Sequence, residues 1–158
     1  MAVSVLFICL GNICRSPLAE GVFAALVEAE GLPIQVDSCG TSRYHVGESP
    51  DPGSVRVALA HGVDIRHQRA RQLLPPDVER FDYLICMDRS NERHVRAVAG
   101  DKRVWRLREF EPQPGGAPDV PDPWGGGADG FAEVYRIVDR CCRRLLSQIV
   151  EDHGLTPA

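Results

Sequence analysis

Val3-Ser4-Val5-Leu6-Phe7-Ile8-Cys9, followed at once by Leu10-Gly11-Asn12-Ile13-Cys14-Arg15-Ser16-Pro17, is the stretch on which the reading of this chain turns. The first seven residues form a short apolar, β-branched run of the kind that makes a fully buried parallel strand. Gly11-Asn12 then signals a turn, Ser16 suits the N-cap of a helix and Pro17 its first position. Leu18, Val22, Leu26 and Ala29 recur at helical spacing until Gly31 stops the pattern, so a helix is expected from about residue 17 to about residue 30. Strand, tight loop and helix follow one another without a spare residue.

Working outward, Ile34 to Val36 reads as a second brief strand, and Asp37 to Pro52, rich in Ser, Gly, Pro and Asp, as a long surface loop. Val55 to His61 looks helical up to Gly62, Tyr83 to Met87 reads as a buried strand, and Asn91 to Ala99 as a helix ended by Gly100. Val104 to Leu107 supplies a fourth strand. Pro112 to Gly130 carries so many Pro and Gly residues that it is read as irregular, and loops of that length are often functional. Phe131, Val134, Val138, Cys141, Leu145 and Ile149 mark one face of a final helix. Alternation of this kind implies an α/β fold with a parallel sheet between helical layers, and no linker divides residues 1–158, so one domain is expected.

The chain has 158 residues, 44% of them hydrophobic and 25% charged, which suffices for a self-supporting core without metal or disulfide. A formal net charge of -4 gives no global attraction to nucleic acid or to anionic lipid, although a local basic site remains compatible with it. Arginine supplies nearly all the positive charge, Lys102 being the only lysine. The six cysteines sit mostly inside apolar runs, without the dense spacing of a secreted disulfide scaffold, and point to reduced thiols in a cytoplasm. Ala2 to Leu10 lacks the basic flank and the cleavage pattern of a signal peptide, and no apolar run approaches membrane-spanning length.

Cys9 and Arg15 stand six positions apart in a loop that enters a helix. Such a loop turns free backbone N–H groups inward and, with the positive end of the helix dipole, makes an anion site. Arg15 offers two parallel N–H bonds to phosphate oxygens, a geometry that lysine does not match. The same field holds a cysteine toward its thiolate, the form that attacks. Three other readings compete: half of a zinc site, which lacks a second ligand pair and would place Arg15 against a cation; a nucleotide loop, which lacks the Gly-Lys-Ser/Thr ending; and an inert buried Cys9.

Cys9 to Pro17 resembles, without exception, the signature of the low-molecular-weight protein tyrosine phosphatases. Gly40-Thr41-Ser42, His45-Val46-Gly47, Cys86-Met87-Asp88 and Asp122-Pro123 resemble further landmarks of that family. The resemblance implies a single three-layer domain with a four-stranded parallel sheet in the order 2-1-3-4, and a phosphatase that hydrolyses phosphotyrosine or aryl phosphates through a phosphocysteine on Cys9, without cofactor or metal. In that reading Arg15 and the loop residues Leu10, Gly11, Asn12, Ile13 and Cys14 hold the phosphate, and Ser16 supports the sulfur while capping the helix. Ser38 and His67 brace the Asn12 side chain, although the stretch from Arg66 to Arg71 runs one residue longer than the family pattern and offers Gln68 as a rival for His67.

A departing phenolate needs a proton, and the resemblance assigns that general acid to Asp122, with Asp119 the near competitor and turn residues before proline the plain alternative. Tyr44 and Trp124 are candidate walls of a slot deep enough for phosphotyrosine. Gly125 follows Trp124 where the family often carries another aromatic. Partners are expected to be phosphotyrosine proteins or small aryl phosphates, with no nucleic acid and no membrane. An arsenate reductase of the same fold is the first alternative, but Cys86 has no partner thiol a few residues on. A protein-arginine phosphatase is the second, and it differs by a threonine at the position of Ile13. A non-catalytic phosphate-binding module is the third. The oligomeric state is not legible.

Overall fold

Val3, Val5, Phe7 and Cys9 turn to one side of their strand, Leu6 and Ile8 to the other, and all are buried. Successive side chains of a strand alternate between faces. A strand that is apolar on both faces therefore needs a layer of helices on each. In the computed structural model, which describes residues 2–100, 103–113, 115–116 and 118–157, that strand is β1 (Val3–Cys9). It pairs in parallel with β2 (Ile34–Gly40) on one side and β3 (Tyr83–Cys86) on the other, and β4 (Val104–Arg106) lies beyond β3, giving the order β2-β1-β3-β4.

One face packs against α1 (Arg15–Glu30), α2 (Pro52–Ala60) and α5 (Ala128–His153), through Leu18, Val22 and Phe23, Ala58, and Val134, Val138 and Leu145. The other face packs against α3 (Pro75–Arg80) and α4 (Arg89–Ala99), through Val78 and Val95. Full burial of a side chain such as Phe7 or Ile8 contributes about 1.5–3 kcal/mol, so this central strand is where stability concentrates. The close contact of α2 and α5 depends on Gly53, because a Cβ there would lie 2.4 Å from the Phe131 ring.

β2 continues past Val36 through Asp37, Ser38, Cys39 and Gly40, whose partners are Leu6 to Cys9. Their polar and glycine character reads as loop, yet the edge of β1 supplies the hydrogen bonds that make them strand. α3 is absent from the sequence expectation because six residues opening on Pro75-Pro76 carry too little periodicity to register. α1 begins two residues before Pro17, with Cys14 at the N-cap and no side-chain cap bond, so Ser16 is inside the helix and does not cap it. Its hydroxyl turns inward instead.

Candidate active site

The loop from Leu10 to Cys14 leaves the carboxyl end of the central strand, where ligands gather in open α/β sheets. Its sharp turn is made at Asn12, whose φ of 58° is the one left-handed non-glycine conformation among the described residues. Asparagine tolerates that region better than most residues. The floor beneath is Gly40, where a Cβ would come within 2.7 Å of the Leu10 carbonyl oxygen. Thr41 N–H donates to the Cys9 carbonyl (2.9 Å) and Ser42 N–H to that of Leu10 (3.0 Å), while Asp51 N–H holds the Ile13 carbonyl (2.7 Å). The backbone is thus pinned from outside, which leaves the uncapped first turn of α1 free to offer its N–H groups to an anion.

Asn12 ties the loop together from within. Its Nδ2 donates to Ser16 Oγ (2.8 Å) and to Ser38 Oγ (3.0 Å), and its Oδ1 accepts the backbone N–H of Arg71 (3.0 Å). His67 takes no part: it is exposed, because Ile65, Gln68 and Ala70 occupy the inward positions of that segment. Buried Gln68 does not replace it at Asn12, its Nε2 donating to the Pro17 carbonyl (3.0 Å). The expectation for His67 is corrected to the main chain of Arg71.

Cys9 is buried, with its sulfur 3.0 Å from Ser16 Oγ and accepting the Asn12 N–H at 3.3 Å. Burial pushes the thiols of Cys14, Cys39, Cys86, Cys141 and Cys142 up, so these five stay protonated. Arg15 is also buried. Burial works against its charge, but the field of Cys9 and the hydrogen-bonded Asp88 carboxylate outweigh that and raise its pKa. Its Nη1 is occupied, donating to Asp88 Oδ2 (2.8 Å) and to the Val120 carbonyl (3.0 Å). Nε, in contrast, is buried with no partner among the described residues. The open edge of the guanidinium, Nε with Nη2, is the one that binds an oxyanion with two parallel bonds.

Cys9, Ile13 and Arg15 line a cavity of ≈ 180 Å³, together with Leu10, Gly11, Cys14, Ser42 and His45. Tyr44, Trp124 and Asp122 line the same cavity. Tyr44 is 83% and Trp124 63% exposed, so both stand as free walls at the mouth and neither is core packing. Asp122 Oδ2 lies 3.8 Å from Arg15 Nη2, and its Oδ1 accepts the Trp124 N–H at 3.0 Å. Asp119 is turned away, accepting the Arg89 N–H at 3.0 Å, and lines no part of the cavity.

Asp88, Val120, Arg71 and Glu20 join the site without having been singled out for it. Asp88 had a readable signal: it is an acid directly after a buried strand, at the sheet edge where ligands gather. Among the described residues no group of three or more His, Cys, Asp or Glu side chains is arranged to hold a metal ion. No helix among them is long and apolar enough to cross a membrane.

Known proteins resemble this chain over nearly its whole length. The family model for low molecular weight phosphotyrosine protein phosphatase matches residues 4–154. A protein of that name from Schizosaccharomyces pombe is 43% identical over 144 residues, spanning 87% of this chain and 91% of its own length. The crystal structure of YfkJ from Bacillus subtilis superposes with a TM-score of 0.90 at 37% identity, covering 97% of this chain and 98% of that one. A YwlE arginine phosphatase, solved with a phosphorylated active-site serine, superposes with a TM-score of 0.86 at 27% identity, covering 96% of this chain and 99% of that one. By sequence and by fold, the chain belongs to the low molecular weight phosphotyrosine protein phosphatase family.

Proposed function

We infer that this chain is a protein tyrosine phosphatase whose reaction runs through a phosphocysteine on Cys9. The observation that carries the reading is the Nε–Nη2 edge of Arg15, whose buried Nε has no partner among the described residues and whose Nη2 meets only the Asp122 carboxylate at 3.8 Å, in a cavity lined also by Cys9. A phosphate monoester bound there satisfies Arg15 and presents its phosphorus to the thiolate. As the S–P bond forms and the ester P–O bond breaks, Asp122 gives its proton to the departing phenolate. Water then attacks the phosphocysteine, the Asp122 carboxylate takes its proton, inorganic phosphate leaves, and the S–P electron pair returns to sulfur. Ser16, 3.0 Å from Cys9 Sγ, supports the negative sulfur before and after.

Leu10, Gly11, Asn12, Ile13 and Cys14 act in this reading as the phosphate cradle. Ser38 supports it through Asn12, and Tyr44 and Trp124 flank the ring of the substrate. Phosphotyrosine proteins or aryl phosphates are the substrates that such walls suit. Six free cysteines favour a reducing compartment such as the cytoplasm. The test is turnover of para-nitrophenyl phosphate and a phosphotyrosine peptide by the unmodified protein and by Cys9→Ser. The variant should lose turnover and keep a site for inorganic phosphate, because serine supplies no thiolate; substantial residual turnover would refute the phosphocysteine.

A further inference from the structure

We propose that Glu20 is a positioning residue for Cys9, the terminal acceptor of a hydrogen-bonded chain through Ser38, Asn12 and Ser16 whose charge strengthens that chain toward the sulfur. The proposal rests on the phosphatase reading above and extends it to a residue on the far side of the loop.

The direction of the chain follows from its fixed points. Asn12 Oδ1 accepts the Arg71 N–H, so the Nδ2 group faces the two serines and donates one hydrogen to each. A serine hydroxyl that accepts from Asn12 has its own proton left to give. Ser38 gives it to Glu20 Oε1 at 2.6 Å. Ser16 gives it to Cys9 Sγ at 3.0 Å in preference to the Cys39 carbonyl at 3.4 Å. An ionised Glu20 can only accept, in keeping with that order, and its charge polarises the chain. A protonated Glu20 leaves Ser38 able to accept from Asn12, but the charge at the end of the chain is gone and the bonds from Asn12 to both serines weaken.

Glu20 lies on α1 and meets charge from two neighbouring elements. Asp37 faces it from β2, and Arg71 faces it from the segment before α3, itself bonded to Asp37 (3.1 Å) and to Asp77 of α3 (3.0 Å). Burial, with Asp37, pushes the Glu20 carboxyl up to about 7, against the pull of the Ser38 hydrogen bond and of Arg71. A raised carboxyl is protonated below that value and charged above it. The strengthened chain is therefore present on the alkaline side of neutrality and weakens as the pH falls.

Phosphocysteine breakdown, with sulfur as leaving group, is the step that Ser16 serves, so kcat is the readout. The experiment compares kcat for para-nitrophenyl phosphate in the unmodified protein and in Glu20→Gln from about pH 5 to about pH 9, because titrations common to both divide out of their ratio. The ratio should be near one in acid and rise through neutrality to about three- to tenfold, the weight of one ordinary hydrogen bond, with KM little changed. Ser38→Ala, which cuts the chain while leaving the Glu20 carboxyl in place, should reproduce the rise and serves if the first variant does not fold. A ratio that is flat with pH in both variants, whether at one or above it, would overturn the proposal, since a purely structural role lowers the variant's kcat equally at every pH. No turnover by the unmodified protein would instead overturn the phosphatase reading.

Discussion

The buried guanidinium of Arg15 pairs with the partly buried Asp88 carboxylate at 2.8 Å, and Asp88 uses its second carboxylate oxygen to cap α4 through the Asn91 N–H, also at 2.8 Å. One side chain thus fixes the guanidinium and closes a helix. Asp88→Ala should cost about 2–5 kcal/mol, as the cap is lost and a buried charge is left without its partner. It should also lower kcat/KM by tenfold or more, roughly the effect of a misdirected anion clamp. Asp88→Asn, which keeps an acceptor, should fall between. Thermal melting and inhibition by inorganic phosphate measure the two effects separately, and an Asp88→Ala protein as stable and as active as the unmodified one would refute this assignment.

Asp122→Asn should slow hydrolysis of phosphate esters with poor leaving groups by about 10²–10⁴-fold and spare those with good ones, the mark of a lost general acid. A series of substituted aryl phosphates measures the slope. Equal loss across the series would mean that the substitution had disturbed the Trp124 turn, which Asp122 Oδ1 stabilises.

Ile13 is buried and presents apolar surface to the cavity. A phenyl ring meets that surface at no cost, whereas a guanidinium has to shed water against it. kcat/KM for phosphotyrosine peptides should exceed that for phosphoarginine and for phosphoserine, and Ile13→Thr should move the ratio toward phosphoarginine. Equal rates on phosphotyrosine and phosphoarginine by the unmodified protein would count against Ile13 as the discriminating wall.

Gly40→Ala places a methyl group 2.7 Å from the Leu10 carbonyl and 3.1 Å from the Asn12 nitrogen, both backbone atoms that cannot step aside. The loop has to move, at about 1–3 kcal/mol by the usual cost of overpacking. Activity should fall further than stability, because the displaced atoms belong to the cradle. Denaturant melts and steady-state kinetics on one sample compare the two; full activity in a destabilised protein would mean that the loop tolerates the shift.

The candidate catalytic stretch was legible because the features that single it out are local. Cys9, Arg15 and the turn between them lie within seven residues, and the βα alternation around them has a period that the chain displays openly. What escaped was set by contacts distant in sequence. β2 owes its last four residues to hydrogen bonds from β1, and nothing within Asp37-Ser38-Cys39-Gly40 announces them. Ser16 was expected at a cap on local grounds, yet the helix starts earlier and its hydroxyl is claimed by a sulfur and by Asn12. His67 lies exposed in the fold, and a main-chain N–H, that of Arg71, braces Asn12 instead. Glu20 was one acid among many in the sequence, and only the fold brings it to Ser38.

Val120 ties three parts of the site to one peptide: its N–H donates to the Met87 carbonyl at 2.8 Å and its carbonyl accepts from Arg15 Nη1 at 3.0 Å. Asp122 hangs two residues beyond that anchor, a tether of about 7 Å at full stretch. Its carboxylate therefore sweeps a short arc around a pivot bolted to the end of β3, however freely the glycines after Trp124 move. In the proposed reaction a shift of Arg15 toward a bound phosphate would pull the same pivot, and Asp122 would travel with it.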